Sequence, residues 1–127
     1  MRVAGPVDPA TAWQRYAEPR LWSTWAPHIR GVDYDADRLH AGTSGVVIGP
    51  MGARVPFTID AVDEPRRTWS WTVRPRLAGR AVVSIDLAHG VEARGLGTAT
   101  WLRLRGPWPV IVAYAPVARW ALRFLVR

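Results

Sequence analysis

The sequence predicts an α+β domain in which a curved antiparallel sheet of six to seven strands wraps around a long C-terminal helix. Two observations predict it. The last twenty residues have helical periodicity, with Arg119, Arg123 and Arg127 on one side and apolar residues on the other. Four consecutive segments alternate apolar and polar residues with the period of a strand that has one wet face, over 54–63, 68–75, 80–92 and 98–105. The chain fits one domain over residues 1–127.

Two short helices precede the strands. Asp8 and Pro9 suit the N-cap and first position of a helix that runs to about Ala17. Pro19 begins a second helix, which ends before Pro27. Turn residues at Gly49-Pro50, Glu64-Pro65, Ala78-Gly79 and Gly95 to Gly97 then separate strands that pair as hairpins, at about 29–35, 43–48, 54–63, 67–74, 80–93 and 98–105. The last helix covers about 108–126, and Pro116 should kink or split it near Ala115.

The alternation also predicts which residues face inward. In strand 54–63 the apolar face carries Ala61 as its last member, and Val62 faces outward. The long C-terminal helix is the expected cover for the dry face, and a hollow results where it stands off a twisted sheet. In the alternative, the large aromatic residues fill this interior themselves. The residues expected to contact a ligand are Phe57, Ile59, Trp69, Trp71, Val83, Ile85, Leu87, His89, Thr100, Leu102, Tyr114 and Ala118.

Composition excludes several classes of function. The chain has no cysteine, so disulfides and thiolate sites are excluded. The three histidines lack metal-ligand spacing, and we expect neither a metal nor a cofactor. All 17 basic residues are arginine and the net charge is +7, but they are scattered along the chain, which does not favour nucleic-acid binding. With no signal-peptide stretch at the start and no apolar run of membrane-spanning length, we expect a cytoplasmic protein.

Several segments together resemble the SRPBCC superfamily, also called START-like, Bet v 1-like or polyketide cyclase/dehydrase-like. They are 7–13, 22–32, 45–47, 62–71, 89–92, Gly97-Thr98 and Gly106-Pro107. The resemblance implies a helix-grip fold with a deep cavity between sheet and C-terminal helix, and members bind or transform lipids, polyketides, sterols, plant hormones or aromatic compounds. The family's first strand is reduced here to Arg2–Pro6. We expect a short sheet edge, which either opens the cavity or pairs with a second copy.

His89 and Tyr114 are the candidate catalytic residues. His89 is the histidine on the apolar face, where it would either exchange a proton with a bound carbonyl or phenol, or be a structural residue bonded to a neighbour such as Thr100. No carboxylate partner accompanies it, since Asp60, Asp86 and Glu92 face the wet side. Tyr114 and Tyr16 could each present a hydroxyl to the cavity. For Tyr16 we expect instead a core aromatic residue whose hydroxyl lies at the rim of the cavity.

These residues predict binding of a hydrophobic small molecule, such as a polyketide, lipid or aromatic compound. A polyketide cyclase or dehydratase that uses His89 or Tyr114 is the alternative. A second alternative is an interaction module that works through its arginines on nucleic acid, ribosome or membrane. The arginine side of the last helix is interpreted as a solvated face, with contact to an anionic lipid surface as the other possibility. Trp101 is expected outside among arginines, where it either stacks beneath Arg103 or marks a contact surface.

Overall fold

The computed structural model describes residues 1–77, 80–81 and 83–127. The helices are α1 (Pro9–Ala17), α2 (Trp22–Trp25) and α3 (Trp108–Leu125), and short 3-10 turns cover Pro19–Leu21 and Pro50–Gly52. The strands are β1 (Arg2–Gly5), β2 (Gly31–Asp33), β3 (Ser44–Ile48), β4 (Arg54–Asp63), β5 (Thr68–Val73), β6 (Arg76–Leu77), β7 (Arg80–Ala81), β8 (Ile85–Arg94) and β9 (Gly97–Arg105).

In the part of the chain that the structure describes, seven strands form one curled antiparallel sheet in the order β1-β9-β8-β5-β4-β3-β2. From β2 to β9, each strand of this sheet pairs with the next one along the chain, as the short turns predicted, except that β6 and β7 lie between β5 and β8 and form a separate two-stranded sheet. The two edge strands are β2 and β1. β1 pairs with β9, with Arg2 opposite Trp101 and Gly5 opposite Thr98. The predicted fold class is therefore confirmed.

The strand predicted over 80–93 is wrong in its first part. β8 begins at Ile85, whose partner Val73 is the last residue of β5. Pro75 follows two residues later and has no N–H to donate, so the ladder stops there. Residues 80–81 pair instead with 76–77 in a separate two-stranded sheet. The turn predicted at Ala78-Gly79 lies outside the described residues.

A β-bulge in β4 reverses the predicted faces of that strand's last residues. Ile59 pairs with Trp71 and Ala61 with Ser70, so Asp60 is the extra residue between two regular pairs. Beyond the bulge Val62 packs against the core and Ala61 is exposed, the opposite of the prediction. The bulge keeps the charged Asp60 in solvent, where its carboxylate accepts a hydrogen bond from the Thr72 hydroxyl at 2.7 Å.

The concave face of the sheet is covered by all three helices, not by the C-terminal helix alone. α1 packs across β8 and β9. It places Tyr16 against the rings of Trp69 and His89, with centroid distances of 5.6 and 4.9 Å. α2 inserts Trp22 among Phe57, Trp69 and Trp71, at 5.1–5.6 Å. The two short helices therefore add Tyr16 and Trp22 to the aromatic residues that the sheet places in the interior.

α3 is one continuous helix through Pro116, so the predicted split does not occur. Its second half is anchored by buried Ala118, Ala121, Leu122 and Leu125. Its outer face differs from the predicted arginine face, because Trp108, Val112 and Trp120 are also exposed there. None of the described helices is both long enough and apolar enough to cross a membrane.

The four-residue strand β1 joins the sheet to the end of α3. The Val7 amide donates to the Val126 carbonyl at 3.1 Å. Gly5 passes so close that a β-carbon there would collide with the same carbonyl. Gly5, a poor strand residue by propensity, is therefore required by this close approach. Pairing of two copies through the short edge stays a prediction.

Candidate ligand-binding site

A small hollow lies between the sheet, α2 and the middle of α3. Its volume is about 30 Å³ and its walls are mainly apolar and aromatic. The sheet contributes four lining residues, the α2 region five and α3 four. They are Trp69, Trp71, His89 and Leu102; Trp22, Trp25, Ala26, His28 and Ile29; and Tyr114, Ala118, Ala121 and Leu122.

The hollow is far smaller than the deep cavity that the family resemblance implied. Small-molecule sites usually measure about 300–1,000 Å³, whereas about 30 Å³ holds one water molecule. Trp22 is the physical reason, since it is 1% exposed and fills the space above Trp69 and Trp71. The alternative in which aromatic residues fill their own interior describes this conformation better.

His89 is held in one tautomer by a neighbouring indole. The Trp71 Nε1–H donates to His89 Nε2 at 3.1 Å, and an indole nitrogen can only donate, so Nε2 carries no proton. In a neutral ring the proton is then on Nδ1. Burial lowers the pKa of His89 from 6.5 to about 3, so the ring is neutral at pH 7. The predicted bond to Thr100 is wrong, because Thr100 donates to the Gly90 carbonyl at 3.0 Å and meets the Tyr16 hydroxyl at 2.5 Å.

Three buried nitrogens around this hollow have no hydrogen-bond partner among the described residues. They are His89 Nδ1, Trp69 Nε1 and His28 Nδ1, and all three residues line the hollow. The first two are donors, and the Trp69 and His89 rings stack with centroids 4.7 Å apart. Burial also lowers the pKa of His28. Native interiors rarely leave buried polar groups unpaired, and each such group costs about 1–3 kcal/mol.

Six of the twelve residues predicted to contact a ligand line the hollow: Trp69, Trp71, His89, Leu102, Tyr114 and Ala118. Phe57, Ile59, Ile85 and Leu87 are buried elsewhere in the core, and Val83 packs at its edge. Thr100 is fully buried and engaged with Tyr16. Tyr16 itself is completely buried, not at a rim.

Sequence reasoning missed much of the opposite wall. Ala121 and Leu122 lie one turn beyond Ala118 on the same helix face, so helical spacing was enough to find them. Trp22 and Trp25 belong to the second short helix, and their spacing alone does not show that they reach the hollow. No pattern in the sequence pointed to His28.

Tyr114 is the one lining residue of α3 that remains partly exposed, and it lies at the edge of the hollow. Its ring meets that of His28 edge-on, with centroids 6.3 Å apart. Burial raises the pKa of the Tyr114 hydroxyl to about 12, so it is protonated at pH 7. The Tyr114–His28 contact joins α3 to the segment after α2.

A larger hollow of about 730 Å³ lies on the outer face of the sheet, where Asp60, Asp86 and Arg103 line it. It is open to solvent and charged. Arg103 stacks over the Trp101 ring there at 5.1 Å, in agreement with the first of the two roles expected for Trp101. Within the described residues, no group of three or more histidines and carboxylates is arranged to hold a metal ion. The enclosed hollow is therefore the better candidate for an apolar ligand.

Solved structures similar to this chain identify the fold. Ara h 8.0201, of the Bet v 1 family, superposes with a TM-score of 0.76 at 17% identity, over 98% of this chain and 91% of that one. The fold is the Bet v 1-like helix-grip fold. Major latex-like protein 151 from Panax ginseng gives 0.74 at 16% identity, over 98% and 91%. Protein jhp0584 from Helicobacter pylori gives 0.76 at 15%, over 99% and 83%. No family model and no curated protein matches the sequence.

Proposed function

We propose that this Bet v 1-like domain binds a small apolar molecule that carries a hydrogen-bond acceptor, at the hollow between the sheet, α2 and α3. The observation that carries the proposal is the set of three unpaired buried nitrogens on His28, Trp69 and His89. A core selected only for packing pairs its polar groups or replaces them with apolar ones. Here the three residues that carry the unpaired nitrogens all line one hollow.

The guest would occupy an expanded form of the hollow. About 30 Å³ cannot hold an organic molecule, so binding requires the hollow to open beyond the conformation described here. Opening would occur where the walls are least firmly packed. The first half of α3 has only partly buried residues facing the protein, Val110, Ile111, Tyr114 and Val117, whereas the second half is anchored by fully buried ones. Separation of Tyr114 from His28 would enlarge the hollow.

The chemistry of the unpaired groups specifies the guest's polar end. His89 Nδ1–H and Trp69 Nε1–H both donate, so they suit an acceptor oxygen such as a ketone, ester or quinone carbonyl. A neutral acceptor fits best, because the lining has no charged side chain at pH 7 to compensate a buried carboxylate.

Binding is better supported than the alternative of a cyclase or dehydratase. A histidine whose pKa is about 3 is a weak base at neutral pH. Its Nε2 is occupied by Trp71, and no carboxylate lines the hollow to polarise the ring. His89 therefore suits the recognition of a carbonyl rather than the removal of a proton.

Two probes of the same shape test the proposal. 2-Acetylnaphthalene offers a carbonyl, and 2-ethylnaphthalene does not. We expect one equivalent of the acetyl compound to bind, measured by native mass spectrometry and by the thermal shift of unfolding. The ethyl compound should bind roughly tenfold more weakly, the value of one hydrogen bond to an otherwise unpaired donor. Equal affinities for the two probes would contradict the acceptor site, and binding of neither would contradict the function.

Two alanine substitutions on α3 locate the bound probe. Ala118 is buried and lines the hollow, so Ala118→Leu should fill the space and weaken binding at least tenfold. Ala113 lies on the exposed side of the same helix, and Ala113→Leu should leave binding unchanged. His89→Phe keeps an aromatic ring but removes one of the two donors, and should reduce the preference for the acetyl probe. An equal response of the two alanine variants would place the probe elsewhere.

A further inference from the structure

The outer face of α3 has a composition unusual for a solvent-exposed helix. Trp108, Val112 and Trp120 are 76%, 64% and 48% exposed. With the exposed Pro116 they form a row at intervals of four residues, which places them on one side of the helix. We call these four residues the apolar row. An exposed helix face is normally polar, and large exposed apolar patches mark contact surfaces.

Positive charge adjoins the apolar row and negative charge is lacking. Arg119 and Arg123 are exposed on the same side of α3. Neither forms an ion pair with any acidic residue that the structure describes. The sequence from 93 to 127 contains six arginines and no aspartate or glutamate. The face therefore combines bulky apolar groups with uncompensated arginines.

We propose that this face docks on the surface of an anionic lipid bilayer. The apolar row would enter the boundary between headgroups and acyl chains, where tryptophan is favoured. Arg119 and Arg123 would bind lipid phosphates. The helix lies on the membrane and does not cross it, in accord with the absence of a membrane-spanning helix among the described residues.

Lipid fits this face better than nucleic acid or a second copy of the chain. Val112 and Pro116 offer nothing to phosphates or bases, but both gain from contact with acyl chains. In a symmetric dimer the same patch meets itself, which would bring Arg119 and Arg123 close to their own copies without a negative partner. An anionic bilayer supplies both the apolar phase and the opposite charge. This proposal is independent of whether the hollow takes a guest.

Vesicle sedimentation tests the proposal. Vesicles of phosphatidylcholine mixed with phosphatidylglycerol should bind the wild type, vesicles of phosphatidylcholine alone should bind it much less, and added salt should weaken binding. The double variant Arg119→Gln, Arg123→Gln should bind roughly 25-fold more weakly, about fivefold for each arginine. Trp108→Ser should bind about tenfold more weakly because it removes an inserted ring.

Matched controls separate the face from overall charge and hydrophobicity. Arg20→Gln with Arg66→Gln makes the same change in net charge at exposed positions away from α3, and Leu96→Ser removes an exposed apolar residue at the β8–β9 turn. Both controls should bind like the wild type. Equal losses in controls and α3 variants would overturn the proposal. So would duplex DNA binding without vesicle binding, or a dimer abolished by Trp108→Ser.

Discussion

The buried neutral His89 predicts how stability depends on pH. In the unfolded chain its pKa returns to about 6.5, whereas burial holds it at about 3 in the folded domain. Between these values the unfolded state binds a proton that the folded state does not. The free energy of unfolding therefore falls as pH falls below 6.5, by about 1.4 kcal/mol per pH unit. From pH 7 to pH 5 this gives a loss of about 2 kcal/mol.

His89→Phe removes this contribution and keeps a flat ring against Trp69. Urea unfolding followed by far-UV circular dichroism, at pH 7 and pH 5, gives the free energy for each protein. We expect the wild type to lose about 2 kcal/mol more than the variant. The comparison is needed because burial also lowers the pKa of His28, which adds a loss of the same sign to both proteins.

The decisive quantity is the difference between the two pH values, not the stability at either one. His89→Phe leaves the Trp71 Nε1–H without its acceptor, so its stability at pH 7 also changes. His40→Ala is the matched control, since His40 is exposed and should retain the wild-type pH dependence. Equal losses in the wild type and His89→Phe would refute a buried neutral histidine.

Two further substitutions test the packing around the hollow. Tyr16→Phe removes a fully buried hydroxyl that is 2.5 Å from Thr100 Oγ1. We expect the free energy of unfolding, measured in urea, to fall by about 1–2 kcal/mol. An unchanged free energy of unfolding would show that this hydrogen bond is not formed. Gly5→Ala should lower the melting temperature by several degrees because its β-carbon meets the Val126 carbonyl, which is backbone and cannot rotate away. Gly31→Ala, at a position with open space, is its control.

The strands of the sheet were predictable because one face of the sheet packs against the core and the other meets solvent, which makes apolar and polar residues alternate along each strand. β4 has the predicted bounds, 54–63; β3 and β9 differ by one residue at one end, and β5 is shorter by one residue at each end. The bulge at Asp60 was not predictable from alternation. Strict alternation assumes that each residue of a strand is opposite one residue of its partner, so it assigned Ala61 and Val62 to the wrong faces. Pro75 did carry the signal for the late start of β8, since it ends the ladder.

The size of the hollow was not predictable, because it depends on how far short helices reach into the sheet. Helical spacing places Trp22 and Trp25 on a helix but does not say that Trp22 lies over Trp69 and Trp71. The sequence likewise placed His89 on the apolar face, but not its bond to Trp71, which rests on register between β5 and β8. The sequence therefore predicted most of the side chains that line the sheet's apolar face, but it did not predict the distances between the helices and the sheet.

Pro116 lies where the firmly packed and loosely packed halves of α3 meet. It has no N–H, so the Val112 carbonyl one turn earlier lacks its usual helical donor, and a bend there costs less than elsewhere in the helix. If guests enter by such bending, only the bent fraction of molecules is receptive, and the apparent Kd equals the intrinsic Kd divided by that fraction. At high guest concentration the observed association rate would then level off at the bending rate instead of rising with concentration.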